Sequence, residues 1–232
     1  MKSTGGSEPA KRRAGRAAAE RVTDGMVVGL GTGSTAAYAI DALGERVGDG
    51  LDIRGVPTSF SARRRALAAG IRVVDLDEVE RVDLAIDGAD QLVLESGVCI
   101  KGGGAAHTRE KLVASAADGL HVVVDETKLA ERLDHPVALE VLPAAHRVVA
   151  DAVADRGGEP TLRAAERKDG PVVTDNGNLV VDCDFGPIEQ PAALAAALSG
   201  LAGVVDHGLF VERVTAVSVG GEDVETVEYR SP

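Results

Sequence analysis

The sequence MVVGLGTGST occupies residues 26–35 and sets the architecture of the chain. Its apolar beginning predicts a short buried strand, and the alternating glycines at its end predict a tight turn. Helical spacing follows from Thr35 to Leu43. A helix that begins after such a turn offers unpaired backbone N–H groups to an anion, and the hydroxyls at positions 32, 34 and 35 add donors. The segment therefore predicts a phosphate site between a strand and a helix.

Other interpretations of this glycine-rich turn fit less well. The spacing is G-x-G-x-G, whereas dinucleotide-binding folds use G-x-G-x-x-G and place an acid at the end of the second strand. Here the second strand ends in GVPTS, residues 55–59, with hydroxyls where the carboxylate would be. A Walker loop is excluded because no Gly-Lys-Ser/Thr follows. A tight turn without a ligand remains the alternative.

Outward from this segment, strands and helices alternate. The first nine residues predict a flexible leader, and small apolar residues then predict a helix over residues 10–22. The alternation predicts an α/β fold with a Rossmann-like, largely parallel sheet and helices on both faces. Beyond residues 26–43, the predicted strands are 53–56, 71–74, 82–86 and 121–124, and the predicted helices are 61–69 and 108–117.

Composition changes at His135, where prolines become frequent. Helices are expected over residues 144–155 and 189–198, with short strands between them. Residues 135–208 therefore predict a smaller α+β lobe. The strands over residues 209–227 are expected to return to the first domain, so that the Rossmann-like catalytic domain comprises residues 1–134 and 209–232.

The charge balance excludes whole classes of partner. A net charge of −12 and an aromatic content of 2%, without tryptophan, argue against a nucleic-acid partner. A small anion is still compatible with a locally positive pocket. The two cysteines stand far apart, the start of the chain does not resemble a signal peptide, and no apolar run reaches the roughly 18 residues of a membrane span. We therefore expect a cytoplasmic protein with no membrane partner.

Two carboxylates follow the apolar strand VDLAI, in the sequence DGAD at residues 87–90. Asp87 and Asp90 would then stand at the carboxyl end of a strand, where open α/β sheets bind ligands. A solvated turn also favours Asp and Gly, and remains the alternative. A metal site has weak support, since no histidine lies nearby in sequence.

A second cluster lies in KGGGAAHTREK, residues 101–111. Three successive glycines carry a high cost in conformational entropy, which indicates a backbone that folds closely around a ligand. Lys101 precedes the loop, and Glu110 lies in the first turns of the next helix, where a carboxylate also simply stabilises the helix end. His107 is interpreted as incidental. Lys128, in DETK at residues 125–128, again follows a strand.

These groups are expected to meet. Parallel strands bring their carboxyl ends to one edge of the sheet, so the glycine-rich turn, the aspartates and Lys128 would line one crevice. Such a crevice holds a phosphate cradle, cations and carboxylates, as a sugar-phosphate enzyme requires.

The motifs also resemble a known family. GLGTGSTA, DLAIDGAD, KGGGAAHTREK, DETK and VVTDNGN are similar, in this order, to the signature segments of A-type ribose-5-phosphate isomerases, over about residues 11–220. The resemblance implies interconversion of ribose 5-phosphate and ribulose 5-phosphate through an enediolate, with no cofactor and no metal. It also implies a homodimer or homotetramer, with the smaller lobe as a candidate interface. The acidic balance, with few lysines, fits a salt-adapted source such as a halophilic archaeon or a GC-rich source, and an acid excess also simply aids solubility.

The resemblance assigns roles to individual residues. Glu110 would be the base that moves a proton between C1 and C2, Lys101 would stabilise the enediolate, and Asp87 would open the ring or shuttle hydroxyl protons. Gln91 stands where the family usually has an acid. The substrate-binding residues implied are Thr32, Gly33, Ser34, Thr35, Asp87, Gly88, Asp90, Lys101, Gly102, Gly103 and Lys128, with Lys11 reaching the phosphate.

Two other classes of protein compete with this interpretation. A sugar-phosphate-sensing regulator would need a DNA-binding domain, for which this short acidic chain has no room. A related deaminase or lactonase is not expected to combine DGAD with KGGG and TRE.

Overall fold

The computed structural model describes residues 6–229, and this part of the chain forms six α-helices. Ser7 caps the first helix, because its side chain accepts a hydrogen bond from the backbone N–H of Ala10. The helices are α1 (Glu8–Ala19), α2 (Ser34–Gly48), α3 (Phe60–Ala68), α4 (His107–Ser115), α5 (His146–Ala154) and α6 (Pro191–Ser199).

A seven-stranded sheet forms the centre of the molecule. Its order is β14-β13-β7-β4-β1-β2-β3, and every neighbouring pair is parallel except β13 and β14. The predicted parallel α/β sheet is thus confirmed, with one antiparallel edge strand. The strands are β1 (Val27–Leu30), β2 (Arg54–Pro57), β3 (Arg72–Val73), β4 (Leu84–Asp87), β7 (Leu120–Asp125), β13 (Val214–Gly220) and β14 (Val224–Glu228).

Apolar side chains cover this sheet on both faces. On one face, Leu30 and Ile86 pack with Leu43 of α2 and Ala14 of α1 in one core cluster. On the other face, a second cluster joins strand residues to Val113 of α4. Alternate residues of one strand enter different clusters, as Val27 and Val28 do, because successive side chains point to opposite faces. The predicted cover of helices on both faces is therefore confirmed.

Two smaller sheets are antiparallel. A four-stranded sheet has the order β11-β8-β10-β9, and α5 and α6 pack against it. A three-stranded sheet has the order β12-β6-β5. Their strands are β5 (Gln91–Leu92), β6 (Cys99–Ile100), β8 (Val137–Val141), β9 (Glu159–Leu162), β10 (Leu179–Asp184), β11 (Val204–His207) and β12 (Leu209–Phe210).

The strands of the four-stranded sheet all fall within the predicted lobe, residues 135–208. A third core cluster, however, joins that sheet to Ile100 and Leu209 of the three-stranded sheet. The division of the chain into two domains therefore stays a prediction.

Sequence and structure differ in a few elements. The predicted leader is wrong at Glu8 and Pro9, which already belong to α1, while its residues 1–5 lie outside the described part. Proline is well placed there, since the first helical turn needs no intrahelical donor. The hairpin of β5 and β6 was not predicted, because each strand has only two residues. Asp87 is the last residue of β4 rather than the first residue after it.

The order of the strands locates a crevice. From β1 the chain runs outward through β2 and β3, and then returns to continue from β4 on the other side. Open α/β sheets bind ligands at such a switch point, beyond the carboxyl ends of the two strands. Here those ends carry Thr32 and Asp87. Within residues 6–229, no helix has the length and apolar character needed to cross a membrane.

Candidate active site

The turn after β1 folds over the end of β4. The backbone N–H of Thr32 donates to Oδ1 of Asp87 at 3.0 Å. A Cβ atom on Gly31 would lie 2.2 Å from the same oxygen, so this position requires glycine. Gly33 precedes α2 as its N-cap residue with a φ of 125°, and no side chain caps the helix there. The N-terminus of α2 is therefore open to an anion.

A pair of hydroxyls supports this turn from the neighbouring strand. Oγ1 of Thr32 lies 2.8 Å from Oγ1 of Thr58 and donates to Oγ of Ser59 at 2.7 Å. Thr58 and Ser59 are themselves buried. The hydroxyls at the end of β2 thus hold the turn in place, at the position where a dinucleotide-binding fold would carry an acid.

Three charged side chains meet beside the turn. The Nζ atom of Lys101 lies 3.1 Å from Oδ2 of Asp87 and 3.1 Å from Oε2 of Glu110, and it also donates to the carbonyl of Gly88. The exposed fraction of each side chain is only 3–4%. One ammonium group therefore contacts two carboxyl groups, and all three side chains are almost inaccessible to solvent.

Burial and mutual charge shift the ionisation of this cluster. Burial, followed by repulsion from Asp87, raises the pKa of Glu110 to about 8. Burial also raises the pKa of Asp87, against the attraction of Lys101. Burial alone would lower the pKa of Lys101, but Asp87 and Glu110 outweigh it and raise that pKa. The lysine thus stays charged while the two carboxyls compete for one proton.

The glycine loop before α4 approaches both the cluster and the lobe. Its φ is 108° at Gly102 and 58° at Ala105, conformations that L-residues with side chains rarely adopt. The backbone N–H of Gly103 donates to Oδ2 of Asp90 at 2.7 Å. Arg163, directly after β9, donates to the carbonyls of Gly102 at 2.9 Å and Gly103 at 3.3 Å. The loop is thus held from both sides.

A pocket open to solvent lies between these parts, and we call it the strand-edge cavity. Asp87 is not a lining residue, but it contacts the lining residue Lys101. Lys11 lies on α1, also outside the lining. The lining residues are Thr32, Gly33, Ser34, Thr35, Gly88, Ala89, Asp90, Lys101, Gly102, Gly103, Gly104, Glu110 and Lys128. The structure therefore brings together the predicted residues apart from Lys11.

Sequence reasoning missed the residues that support the site from the lobe. Arg163 gave no signal, because an isolated arginine in a polar stretch is ordinary. Glu140, fully buried in β8, accepts hydrogen bonds from Thr174, Asn176 and Asn178. The turn that contains them accepts from Arg109 of α4 through Oδ1 of Asn176. The predicted motif VVTDNGN contained this turn, but its contacts could not be derived from spacing.

The contacts of Gln91 and His107 explain why these two residues stand at their positions. Gln91 is the first residue of β5 and lies outside the cavity lining: its Oε1 accepts from the backbone N–H groups of Asp134 and His135. His107 is fully buried, and burial lowers its pKa to about 4. Its ring packs under the glycine loop, since a Cβ on Gly102 would lie 2.9 Å from Nδ1. Among the described residues, no group of three or more His, Cys, Asp or Glu could hold a metal ion.

The chain is similar to known proteins over almost its whole length. Residues 54–224 match the family model of ribose 5-phosphate isomerase A (phosphoriboisomerase A). Ribose-5-phosphate isomerase A of Natronomonas pharaonis is 62% identical, over 96% of this chain and 98% of that protein. The same enzyme of Haloarcula marismortui is 60% identical, over 96% of each chain.

Solved structures agree with this similarity. Ribose 5-phosphate isomerase A of Methanocaldococcus jannaschii has a TM-score of 0.92 and 43% identity, over 96% of this chain and 99% of that one. A D-ribose-5-phosphate isomerase in complex with phospho-erythronic acid has a TM-score of 0.93 and 39% identity, over 97% of this chain and 100% of that one. The chain belongs to the ribose 5-phosphate isomerase A family.

Proposed function

We propose that this chain interconverts D-ribose 5-phosphate and D-ribulose 5-phosphate at the strand-edge cavity. The observation that carries the proposal is the position of Lys101 Nζ, 3.1 Å from a carboxylate oxygen of both Asp87 and Glu110. Proton transfer next to a carbonyl needs a base and a nearby positive charge, and this cluster contains both. The uncapped N-terminus of α2 borders the same cavity and suits a phosphate.

The phosphate end of the substrate is bound by the turn after β1. Backbone N–H groups at the start of α2 and the hydroxyls of Thr32, Ser34 and Thr35 are its donors. Lys128 lines the same cavity and adds positive charge. Lys11 acts from the first turns of α1, which start beside Asp125 at the end of β7, since a Cβ on Gly6 would lie 2.2 Å from the Asp125 carboxyl carbon. Binding the non-reacting end orients the reacting carbons.

The reacting end lies at Glu110. Its carboxylate removes the proton from C2 of the open-chain aldose, and the electrons of that C–H bond form a C1–C2 double bond while negative charge develops on O1. Lys101 lies where it can stabilise that charge. Glu110 then returns the proton to C1, and the hydroxyl proton of O2 moves to O1, which leaves the ketose. Proton transfer by a placed base accounts for roughly 10²–10⁴-fold of rate.

Asp87 and Asp90 handle the hydroxyl protons. Burial raises the pKa of Asp87, so that its carboxyl takes up a proton more readily than an exposed aspartate would. This suits ring opening and the transfer between O2 and O1. Asp90 holds the glycine loop through the Gly103 N–H and faces the same cavity. Gly88, Gly102 and Gly103 bring the backbone close to the sugar.

The chemistry itself is balanced within the substrate. C2 is oxidised and C1 is reduced by the same two electrons, so no external oxidant or reductant is consumed. We therefore assign no redox cofactor, and we assign no metal because Lys101 supplies the positive charge beside the base. The assigned setting is the cytoplasm, with a small phosphorylated sugar as partner and neither nucleic acid nor membrane.

A homodimer or homotetramer is part of the proposal, with the lobe of residues 135–208 as the contact surface. Apolar side chains are exposed there: Val148 is 64% exposed, Leu142 is 50% and Val205 is 43%. A second copy would cover such side chains, and exposed apolar patches favour that role.

The test is an assay of the purified protein with ribose 5-phosphate in excess chelator and without added cofactor. We expect ribulose 5-phosphate to form until equilibrium, and the reverse reaction to start from ribulose 5-phosphate. In deuterated water, some product should carry deuterium at C1, because the abstracted proton can exchange at Glu110. No turnover in either direction would overturn the proposed function, and a strict metal requirement would overturn its cofactor-free form.

A further inference from the structure

A short connection between two strands contacts Lys101 and also Lys111, the residue next to Glu110. Residues 206–210 end β11 and form β12. The carbonyl of Gly208 accepts from the backbone N–H of Lys101 at 2.8 Å. A Cβ on Gly208 would lie 2.1 Å from the Lys101 carbonyl oxygen, so the two backbones are in direct contact. Lys101 is therefore fixed at its backbone by this connection.

The same connection holds the residue next to Glu110. Nζ of Lys111 donates to Oδ1 of Asp206 at 2.6 Å and to the carbonyl of His207 at 2.5 Å. It also lies 3.3 Å from Nδ1 of His207. An ammonium has three N–H donors, and here each has an acceptor on two adjacent residues. Lys111, one position after Glu110 in α4, thereby links this helix to β11.

The protonation of His207 fits this arrangement. Burial, together with the charge of Lys111, lowers the pKa of His207 to about 4, so its ring is neutral near pH 7. Nδ1 accepts from the backbone N–H of Leu209 at 3.2 Å, which leaves the proton on Nε2 to donate to Ser199 at 3.1 Å. With the proton on Nε2, the single lone pair of Nδ1 is shared between the Leu209 N–H and Nζ of Lys111.

An aromatic ring links the two lysines. Phe210 is fully buried, and its ring centre lies 5.4 Å from Nζ of Lys101 and 5.1 Å from Nζ of Lys111. Both distances fall within the range of cation–π attraction. The position of each ammonium therefore depends on the same rigid side chain.

We assign Lys111 no contact with the substrate, because its Nζ is bound by Asp206 and His207, outside the lining of the strand-edge cavity. It is also costly to bury: its exposed fraction is 8%, and burial lowers its pKa against the attraction of Asp206. A buried ion pair is a weak source of stability compared with apolar packing. The contacts of Lys111 with Asp206 and His207 therefore matter more for the position of α4 than for the stability of the fold.

We infer that residues 206–210 set the position of Glu110 relative to Lys101, with Lys111 and Phe210 as positioning residues. Lys111 fixes the helix turn that carries Glu110, and Phe210 and Gly208 fix Lys101. The inference rests on the proposed isomerase function. A reacting base displaced by about 1 Å loses on the order of 100-fold in rate, so such a device has a measurable effect.

The test compares Lys111→Met, Lys111→Arg and Phe210→Leu with the wild type, using ribose 5-phosphate as substrate. For Lys111→Met we expect kcat to fall by about 10-fold to 100-fold while KM changes less than about 2-fold, since the phosphate end is untouched. Lys111→Arg keeps the charge and several donors, and should recover most of the lost kcat. Phe210→Leu should lower kcat in the same way without changing any charge.

The matched control is Ser218→Ala, which removes the partner of another buried polar side chain. Oγ of Ser218 lies 2.8 Å from Nε2 of His121, and both residues are fully buried within the central sheet. This variant should lower the melting temperature and leave kcat and KM unchanged. Its loss of melting temperature sets the scale for a purely structural change.

Two results would overturn the inference. One is a wild-type kcat in folded Lys111→Met, or in folded Phe210→Leu if Lys111→Met does not fold. The other is a fall in kcat in Ser218→Ala that matches the fall in these variants at equal loss of melting temperature. An inactive wild type would instead refute the proposed function. In that case a crystal structure of Lys111→Met tests the geometry, which requires a longer distance between Lys101 Nζ and Glu110 Oε2.

Discussion

Nζ of Lys101 lies 3.1 Å from Oε2 of Glu110, and each of the two side chains is only 3% exposed. The two residues come from different elements, since Lys101 follows β6 and Glu110 lies in the first turn of α4. The glycine loop that connects Lys101 to α4 allows the two side chains to lie side by side. A base and a cation are thus held in contact with little exposure to solvent, where their charges act more strongly than at the surface.

The pH dependence should report the shifted carboxyl. Burial and Asp87 raise the pKa of Glu110 to about 8. Because the base must be deprotonated to accept a proton, kcat/KM should rise with pH across a midpoint near that value instead of the ordinary 4.5. Asp87→Asn removes a negative neighbour and should shift the midpoint to lower pH, along with a lower maximum.

Profiles of kcat/KM against pH for wild type and Asp87→Asn check this. The substrate phosphate itself titrates near about 6, and the comparison of two proteins with one substrate removes its contribution. A midpoint that stays in place when Asp87 is replaced would show that Glu110 is not the titrating group.

The arginine behind the glycine loop should matter for activity. Nε of Arg163 donates to Oδ2 of Asp182 at 2.8 Å, while its Nη1 donates to the carbonyls of Gly102 and Gly103. A lysine cannot reproduce this planar, forked set of donors. We expect Arg163→Lys to lower kcat/KM by about 10-fold, because the loop that lines the cavity is loosened.

Arg65→Lys is the matched control, since Arg65 makes a forked pair with Asp41 on the exposed surface of α3. Exposed pairs contribute little, so this variant should keep wild-type kinetics and stability. Equal kinetics for Arg163→Lys and Arg65→Lys would contradict the role of Arg163.

Replacing Gly103 with alanine should lower activity while changing stability only slightly. A Cβ there would lie 2.5 Å from Oδ1 of Asp90, the far end of a side chain that can move away. Asp90 would then lose its bond from the Gly103 N–H, and we expect kcat/KM to fall by about 10-fold with a change of less than about 1 kcal/mol in stability.

Gly48→Ala provides the comparison, because a Cβ at this exposed last position of α2 meets nothing within 4 Å. It should leave kinetics unchanged and add about 0.5–1 kcal/mol of stability. Kinetic constants and thermal melts of both variants give the answer. A normal kcat/KM in Gly103→Ala would contradict the assignment of Asp90 to the site.

Much of the fold was predictable from periodicity. The buried strand of residues 27–30 and the small apolar residues of α1 and α2 give clear local signals, and parallel strands fix which ends meet. The two-residue strands β5 and β6 gave no such signal. Their position is set by tertiary pairing, as Phe210 opposite Cys99 illustrates.

The site was predictable only in part, for a similar reason. Residues next to strand ends, such as Thr32 and Asp87, follow from topology. The resemblance to a family selected Glu110 as base. Arg163, Glu140 and the contacts of Lys111 depend on how the lobe packs against α4, and sequence spacing holds no information on that packing. Lys11 stays a prediction, since it lies outside the cavity lining.

The role of Glu110 is tested most directly by Glu110→Gln. Turnover of ribose 5-phosphate is measured beside the binding of the substrate to the same protein, with Gly48→Ala as the folded control. We predict a fall in kcat of about 10²–10⁴-fold, because the amide cannot accept the C2 proton, and a dissociation constant within about 3-fold of the wild-type value. Near-normal turnover by folded Glu110→Gln would contradict the assignment of the base.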